Sequence, residues 1–158
     1  MALKRILIVA LIAFALDRLS KVWIVHWLNL RERGFIEVVD PYLNFAMGWN
    51  RGINFGLFAG NDDAARWILI AIAVGICGWL LWWGRQQAGL WMAVGCGLVI
   101  GGAIGNVWDR LQYGAVADYL NMSCCGIRNP YTFNVADVFI FAGAALLIVV
   151  SGRTQDKA

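Results

Sequence analysis

The chain has 158 residues, of which 61% are hydrophobic and only 15% are charged. A soluble domain is typically about 45–50% apolar and about 25% charged, so this composition excludes a soluble domain and predicts an integral membrane protein. The formal net charge of +3 is scattered along the chain without a basic run, which excludes nucleic acid as a partner.

Four apolar runs are long enough to cross the ~30 Å hydrocarbon core of a bilayer, which takes about 20 helical residues. The first run follows Lys4 and Arg5 as in a cleavable signal peptide, but it continues past Asp17 without a small-residue cleavage site, so we expect a retained helix. The pattern predicts an all-α membrane protein with a single integral membrane domain, 1–158, and with spans at about 5–27, 64–83, 89–108 and 135–151.

The distribution of basic residues bears on orientation. Lysines and arginines at both ends of the chain, and Arg85 in a very short loop, favour a cytoplasmic location for both termini. Arginines also lie near the opposite ends of the runs, so the count of basic residues does not by itself decide the orientation.

Near the end of the first run, Asp17 and Lys21 are four residues apart, with the acid before the base. Residues at this spacing lie on one helix face and can form an ion pair. The pair is either a salt bridge at the helix end or a brace for a polar pocket near the outer membrane face. Ser20 and Lys21 do not form a serine–lysine dyad, because neighbours on a helix point apart.

Residues 41–58 change from a helical period to a period of two. Apolar side chains alternate up to Trp49 and again from Ile53 to Leu57, with a turn expected at 50–52. The pattern predicts two short strands with one apolar face. That face lies on lipid or covers a lipidic substrate, or else it packs on the helix ends. The open edges keep the sheet at the interface.

The third run combines small residues with a polar end. Gly97, Gly101 and Gly105 recur every four residues and predict close packing of another helix. Asn106, Asp109 and Arg110 then share one face. Asn106 still lies in the apolar run, so its amide requires a partner. Arg110 can pair with Asp109 or bind a substrate carbonyl.

Two aspartates at the membrane border, Asp118 and Asp137, each close a VAD triplet. A carboxylate near bilayer depth is costly and is a candidate functional residue. Asn134 followed by Asp137 also resembles a helix-capping box, which would explain Asp137 alone. Asp118 has no helical run after it, so the repeated triplet indicates a pair of aspartates with a shared role.

Other chemistries are poorly represented. The serines do not occur in a GxSxG elbow, and a single histidine excludes both a Ser-His-Asp triad and an HExxH zinc site. We therefore expect a carboxylate pair as the catalyst, with no metal and no cofactor. Two alternatives are a four-helix thiol-redox or quinone-linked protein using Cys124 and Cys125, and a transporter using Asp17 and Asp109 as proton carriers.

Five motifs resemble, in order and spacing, those of bacterial lipoprotein signal peptidase, also called signal peptidase II. They are LDRLSK at 16–21, NRGINFGLF at 50–58, GGAIGNVWDRL at 101–111, GAVADYL at 114–120 and FNVAD at 133–137. The resemblance covers nearly the whole chain. It implies an inner-membrane aspartic protease that cleaves the signal peptide from prolipoproteins just before a diacylglyceryl-modified cysteine.

By this resemblance Asp118 and Asp137 correspond to the catalytic pair. Further positions match residues that support the pocket or contact substrate: Asp17, Asn50, Gly52, Asn106, Asp109, Arg110, Asn134 and Ala136. Lys21 and Asn54 are additional candidates for binding substrate or supporting the pocket. The resemblance also implies cytoplasmic termini, a periplasmic β-cradle, a periplasmic loop over the site, contact with membrane phospholipid and inhibition by globomycin-type cyclic peptides.

Three local departures from the family pattern concern the cradle and the loop. Asn121 stands where many members have a second aspartate, and Asn54 replaces a small residue of the cradle. The segment NMSCCGIRNPYT at 121–132 differs from the common form. These departures bear on substrate preference.

Overall fold

The structure is a computed structural model that describes residues 1–40, 42–52, 62–87, 89–126 and 129–155. Five α-helices are present in these ranges, and the first continues directly into a π-helical segment, Val22–Trp27. The helices are α1 (Ala2–Lys21), α2 (Leu30–Arg33), α3 (Asp62–Gly84), α4 (Leu90–Tyr113) and α5 (Val135–Gln155). The strands are β1 (Phe35–Val39), β2 (Leu43–Asn50) and β3 (Val116–Asn121).

Three helices in the described part of the chain are long and apolar enough to cross a membrane: Asp63–Gly84, Leu90–Tyr113 and Val135–Gly152. The mostly helical membrane protein predicted from the sequence is confirmed at this level. α1 and its π-helical continuation match the first predicted run, and their apolar sequence is interrupted by charged residues near both ends. α4 continues five residues beyond the predicted end at 108, because its polar last turns are partly buried against the rest of the protein.

The predicted glycine ridge of α4 packs against α1. A Cβ atom built on Gly97 would lie 2.6 Å from the Cβ of Val9, and one on Gly101 would collide with the carbonyl oxygen of Ala10. Only glycine allows the two backbones to approach this closely. The predicted role of the ridge in helix packing is therefore confirmed.

A second glycine face of α4 packs against α5. A Cβ on Gly102 would collide with the carbonyl oxygen of Ala136, and one on Gly95 would lie 3.2 Å from that of Gly143. Because α4 also contacts α3, it is the central helix of the bundle. This arrangement places the polar end of α4 between the end of α1 and the start of α5.

The strands form one antiparallel sheet in the order β1-β2-β3. β2 confirms the first predicted strand. The second predicted strand, with Phe55 and Asn54, lies outside the described residues. The partners of β2 are β1 and β3, neither of which the sequence analysis identified as a strand, because each is short and shows no clear alternation.

The apolar face of β2 packs on the helix ends. Phe45 and Met47 pack against a buried cluster formed by Ile24, Val25, Leu30, Ala117 and Tyr119. These contacts support the alternative of a sheet packed on the helix ends, and both side chains remain partly exposed, so the expected contact of this face with lipid or substrate stays a prediction. The π-helical segment and β3 supply the apolar surface for these contacts, whereas Trp49 near the end of the same strand is 39% exposed.

Replacing Gly101 with alanine should lower the thermal unfolding temperature in detergent, because the added methyl group meets the backbone of α1. Overpacking of this kind typically costs about 1–3 kcal/mol. The matched control is Gly78→Ala in α3, where a Cβ would meet nothing within 4 Å. Equal effects of the two substitutions on unfolding would contradict the close approach of α1 and α4.

Candidate active site

Asp118 lies within β3, opposite Gly48 of β2. Its side chain is only 3% exposed. The Oδ1 atom accepts a hydrogen bond of 2.6 Å from Nδ2 of Asn134, and Oδ2 accepts one of 3.1 Å from Nδ2 of Asn50. The strand therefore fixes the backbone of Asp118, and two amides from other segments orient its carboxyl group.

Asp137 lies in the first turn of α5 and forms the predicted capping box. Its N–H donates to Oδ1 of Asn134 at 3.0 Å, and its Oδ2 accepts from the N–H of Asn134 at 3.2 Å. Its other carboxylate oxygen, Oδ1, accepts a bond of 2.9 Å from Nδ2 of Asn106. Capping therefore uses one carboxylate oxygen, and the second is directed to α4.

Asn134 and Asn106 connect the two aspartates. Nδ2 of Asn134, which donates to Asp118, also donates to Oδ1 of Asn106 at 3.2 Å, and Asn106 donates in turn to Asp137. The chain of contacts runs from Asp118 through two neutral amides to Asp137. Asp118 and Asp137, here called the aspartate pair, thus share one hydrogen-bond network although they belong to different elements.

The environment changes the acidity of Asp118. Burial, reinforced by the neighbouring charge of Asp137, raises the pKa of Asp118 from 3.8 to about 6. Hydrogen bonds from Asn134 and Asn50 act in the opposite direction because they stabilise the carboxylate. The pair can consequently retain a proton at a pH where an exposed aspartate has lost it.

Arg110 lies beside this network. Its Nη1 donates to the carbonyl oxygen of Asn106 at 3.3 Å, and its Nε is buried without a hydrogen-bond partner in the described part of the chain. Arg110 makes no ion pair with Asp109, so that predicted pairing is wrong. The reason is that Asp109 faces α1, where stronger partners are available.

Asp109 belongs to a buried ionic cluster with Asp17 and Lys21. Nζ of Lys21 lies 2.9 Å from Oδ2 of Asp17 and 2.8 Å from Oδ2 of Asp109. The predicted Asp17–Lys21 pair is confirmed. Arg18 also pairs with Asp109, a contact that the sequence analysis missed although Arg18 stands in the LDRLSK motif.

Asn50 and Gly52 border the site at the end of β2. Oδ1 of Asn50 accepts the N–H of Gly52 at 3.0 Å while its Nδ2 donates to Asp118. Gly52 has a φ of +102°, which favours glycine. The predicted site residue Asn54 lies outside the described residues.

Three further residues near the aspartate pair are Ala136, Ser20 and Tyr119. Ala136 is buried, and its N–H donates to Oδ1 of Asp17 at 3.1 Å. The hydroxyl oxygens of Ser20 and Tyr119 lie 2.6 Å apart, a contact that the sequence analysis did not predict. Only the proximity of Tyr119 to Asp118 in sequence could have suggested this contact, which joins α1 to β3.

Cys124 and Cys125, the cysteines of the thiol-redox alternative, are exposed free thiols in the loop after β3. Within the described ranges, no group of three or more His, Cys, Asp or Glu side chains is arranged to hold a metal ion. The polar network around the aspartate pair is therefore the strongest candidate for chemistry in the described part of the chain.

Comparison with known proteins agrees with this geometry. The sequence profile of a family described as Signal peptidase (SPase) II matches residues 9–152. The chain belongs to the signal peptidase II family. It is 39% identical over 142 residues to the lipoprotein signal peptidase of Rhodopseudomonas palustris strain ATCC BAA-98 / CGA009, covering 87% of this chain and 85% of that protein. It is 38% identical over 152 residues to that of Methylorubrum extorquens strain PA1, covering 96% and 88%.

Two solved structures have the same fold as this signal peptidase II family member. Both are bacterial membrane enzymes solved by the in meso method, at 2.3 Å and 1.9 Å resolution. The TM-score is 0.77 for each, with 25% and 26% sequence identity, and they cover 96% and 92% of this chain and 90% of each neighbour. The family resemblance is confirmed, the chain is a peptidase, and the thiol-redox alternative has no support.

Replacing Asp118 with asparagine should stabilise the protein at about pH 7.5, as measured by thermal unfolding. The folded-state pKa of about 6 exceeds the unfolded value of about 3.9, so ionisation destabilises the folded state as the pH rises through this window. The gain should fall as the pH is lowered and vanish below about pH 3, where both states are protonated.

The control for this measurement is Asp63→Asn, at a side chain that is 74% exposed. It should show no gain that depends on pH. A stability gain of Asp118→Asn that is the same at both pH values would contradict the buried, proton-retaining environment of Asp118.

Proposed function

We propose that the chain removes the signal peptide from diacylglyceryl-modified prolipoproteins as an aspartic endopeptidase, with Asp118 and Asp137 as its catalytic residues. The observation that carries this proposal is the chain of amides, Asn134 and Asn106, that joins two carboxylates from separate elements. Membership of the signal peptidase II family supports the reaction, and the relatives named above are lipoprotein signal peptidases.

The mechanism follows from the shared environment of the aspartate pair. Two carboxylates in a partly dehydrated site do not both ionise easily, so one proton is shared and the apparent pKa values belong to the pair. The ionised member takes a proton from water as the water oxygen attacks the scissile carbonyl carbon. The protonated member donates its proton to the carbonyl oxygen, which gives a tetrahedral diol. The member that took the water proton then donates it to the amide nitrogen as the C–N bond breaks, and the other member takes back a proton from a diol hydroxyl as the carboxylic acid product forms. Hydrolysis by this route needs no covalent intermediate and no metal.

Residues around the pair are proposed to orient it and to receive the substrate. Asn106 and Asn134 fix the carboxyl groups without adding charge. The unpartnered Nε of Arg110 is a donor for a substrate carbonyl, because a buried donor without a partner is costly until it is satisfied. The remaining candidate residues line the cradle or support the pair: Asp17, Lys21, Asn50, Gly52, Asn54, Asp109 and Ala136.

We also propose that α1, α3, α4 and α5 each cross the inner membrane as one domain, with both termini in the cytoplasm. The ends of α1 and α4 and the starts of α3 and α5 then lie on the periplasmic side, together with the sheet and the aspartate pair. The spacing of the helices along the chain supports this alternation. The lipid chains of the substrate and membrane phospholipid would contact the outer helix faces, and globomycin-type cyclic peptides would compete with the substrate.

Asp118→Asn and Asp137→Asn should each abolish cleavage of a lipid-modified precursor peptide in a purified assay while the protein remains folded and membrane-inserted. Each substitution removes one proton-transfer partner, and such transfer is worth ~10² to 10⁴ in rate. Chelators should have no effect. Substantial activity in either variant, or chelator inhibition that zinc reverses, would exclude the pair as the catalyst.

Two controls accompany this assay. The Cys124→Ala/Cys125→Ala double variant should retain activity, because the exposed thiols take no part in the reaction. An unmodified precursor peptide tests whether the diacylglyceryl group is recognised, and cleavage of neither peptide would remove the proposed function.

Reporter fusions test the topology. Fusions after Arg85 and Arg153 should report cytoplasm, and fusions near Asp62 and Arg128 should report periplasm, since an even number of spans returns the chain to the same side. A periplasmic signal at Arg153 would mean an odd number of spans and would contradict the four-span arrangement.

A further inference from the structure

Two carboxylates outside the aspartate pair contact the backbone at equivalent places. Oδ1 of Asp17 accepts the N–H of Ala136 at 3.1 Å, and Oδ2 of Asp109 accepts the N–H of Ala117 at 3.1 Å. Each of these alanines directly precedes one member of the pair. The backbone just before Asp137 is therefore held by a carboxylate of α1, and the backbone just before Asp118 is held by a carboxylate of α4.

Lys21 joins these two carboxylates. Its Nζ contacts Oδ2 of Asp17 and Oδ2 of Asp109, and its side chain is 2% exposed, whereas both carboxylates are fully buried. Arg18 pairs with Asp109, but among the described contacts Lys21 is the one cation that pairs with both acids. A single ammonium group thus lies between the two backbone contacts.

The physical consequence is that the two contacts depend on each other. Two buried carboxylates that contact the same ammonium group are close enough to repel each other. One of them would become protonated or move if no cation lay between them. While both remain ionised, each accepts its backbone N–H in a charge-assisted hydrogen bond, which is roughly twice as strong as a neutral one. Lys21 therefore keeps both acceptors charged and keeps them together.

Gly105 indicates that the fold makes room for this cluster. A Cβ on Gly105 of α4 would lie 2.5 Å from Oδ2 of Asp17 and 3.1 Å from its Cγ. The third glycine of the ridge therefore admits a carboxylate from α1, whereas Gly97 and Gly101 admit the backbone or aliphatic groups of α1.

We propose that Lys21 is a positioning residue of the peptidase: by bridging Asp17 and Asp109 it sets the separation of the two backbone segments that carry the aspartate pair. This inference rests on the proposed function, because it assigns Lys21 a role through the pair. Lys21 does not touch the reacting atoms. Its effect is on the geometry in which the two carboxyl groups share a proton and meet the substrate.

The test measures kcat and KM of Lys21→Met on a lipid-modified precursor peptide, with folding checked by thermal unfolding in detergent. Methionine approximates the length of lysine but carries no charge. We expect kcat to fall ~10²-fold, the scale of a misplacement of about 1 Å in a catalytic group. KM should stay within about twofold, because the substrate-binding surfaces are unchanged. A kcat equal to that of the unmodified enzyme would overturn the proposal.

A second variant covers the case in which Lys21→Met does not fold because it leaves buried acids without their cation. Asp17→Asn/Lys21→Met removes one negative and one positive charge, and the asparagine oxygen can still accept the N–H of Ala136. We expect a folded protein whose kcat remains low, because the link to Asp109 is missing. Recovery of kcat to the level of the unmodified enzyme would show that the bridge is not needed.

Two comparisons separate positioning from general stability. Asp63→Asn breaks the exposed ion pair with Arg66 and should leave kcat unchanged. Asp17→Asn, which retains an acceptor for Ala136, should keep more activity than Asp17→Ala, which does not. Equal kcat values for the two Asp17 variants, both folded, would contradict the role of the backbone contact.

The outcomes also distinguish this proposal from the proposed function. If Asp118→Asn and Asp137→Asn abolish cleavage while Lys21→Met leaves kcat intact, only the positioning role fails. If either aspartate variant remains active, the catalytic pair fails and the positioning role fails with it.

Discussion

The ionic contact of Lys21 with Asp17 and Asp109 is the constraint on which the site depends. It is buried at the place where three separate segments meet: the end of α1, the end of α4 and the start of α5. Charged groups persist in such surroundings only when they are paired and hydrogen-bonded. Here Oδ1 of Asp17 and Oδ2 of Asp109 also accept backbone N–H groups, so the pairing of charges also fixes the course of the main chain.

The close approach of helices makes this contact possible. Glycines on two faces of α4 allow α1 and α5 to reach backbone distance, and short separations are what allow an aspartate on α1 to meet a backbone N–H in α5. Larger residues on α4 would move both neighbours outward. The apolar packing of the bundle thus sets the distances between the polar groups of the site.

The two members of the aspartate pair are connected by neutral amides, at a buried place where a further charge would cost free energy. Asn106 and Asn134 satisfy carboxylate oxygens and connect the two acids without adding a cation that would hold both in the ionised form. Burial of Asp118 raises its pKa to about 6, at a cost to folded-state stability above that pH. Such a cost is typical of catalytic groups, because a retained proton is what general acid catalysis requires.

The sequence by itself determined the membrane class, the helical runs, the glycine ridge of α4, the capping box at Asp137 and the Asp17–Lys21 pair. Each of these depends on composition or on contacts three or four residues apart, where helix geometry dictates which side chains meet. Its five motifs also indicated the family, which the comparisons confirm.

Only the tertiary structure decided which distant groups meet. Arg18 pairs with Asp109 across 91 residues, and Asp17 accepts the N–H of Ala136 across 119 residues. The packing of Phe45 on the helix ends and the pairing of β2 with β1 and β3 were likewise decided by the fold. The physical reason is that spacing along the chain specifies a face of one element, whereas the partner of that face is set by how closely the helices pack.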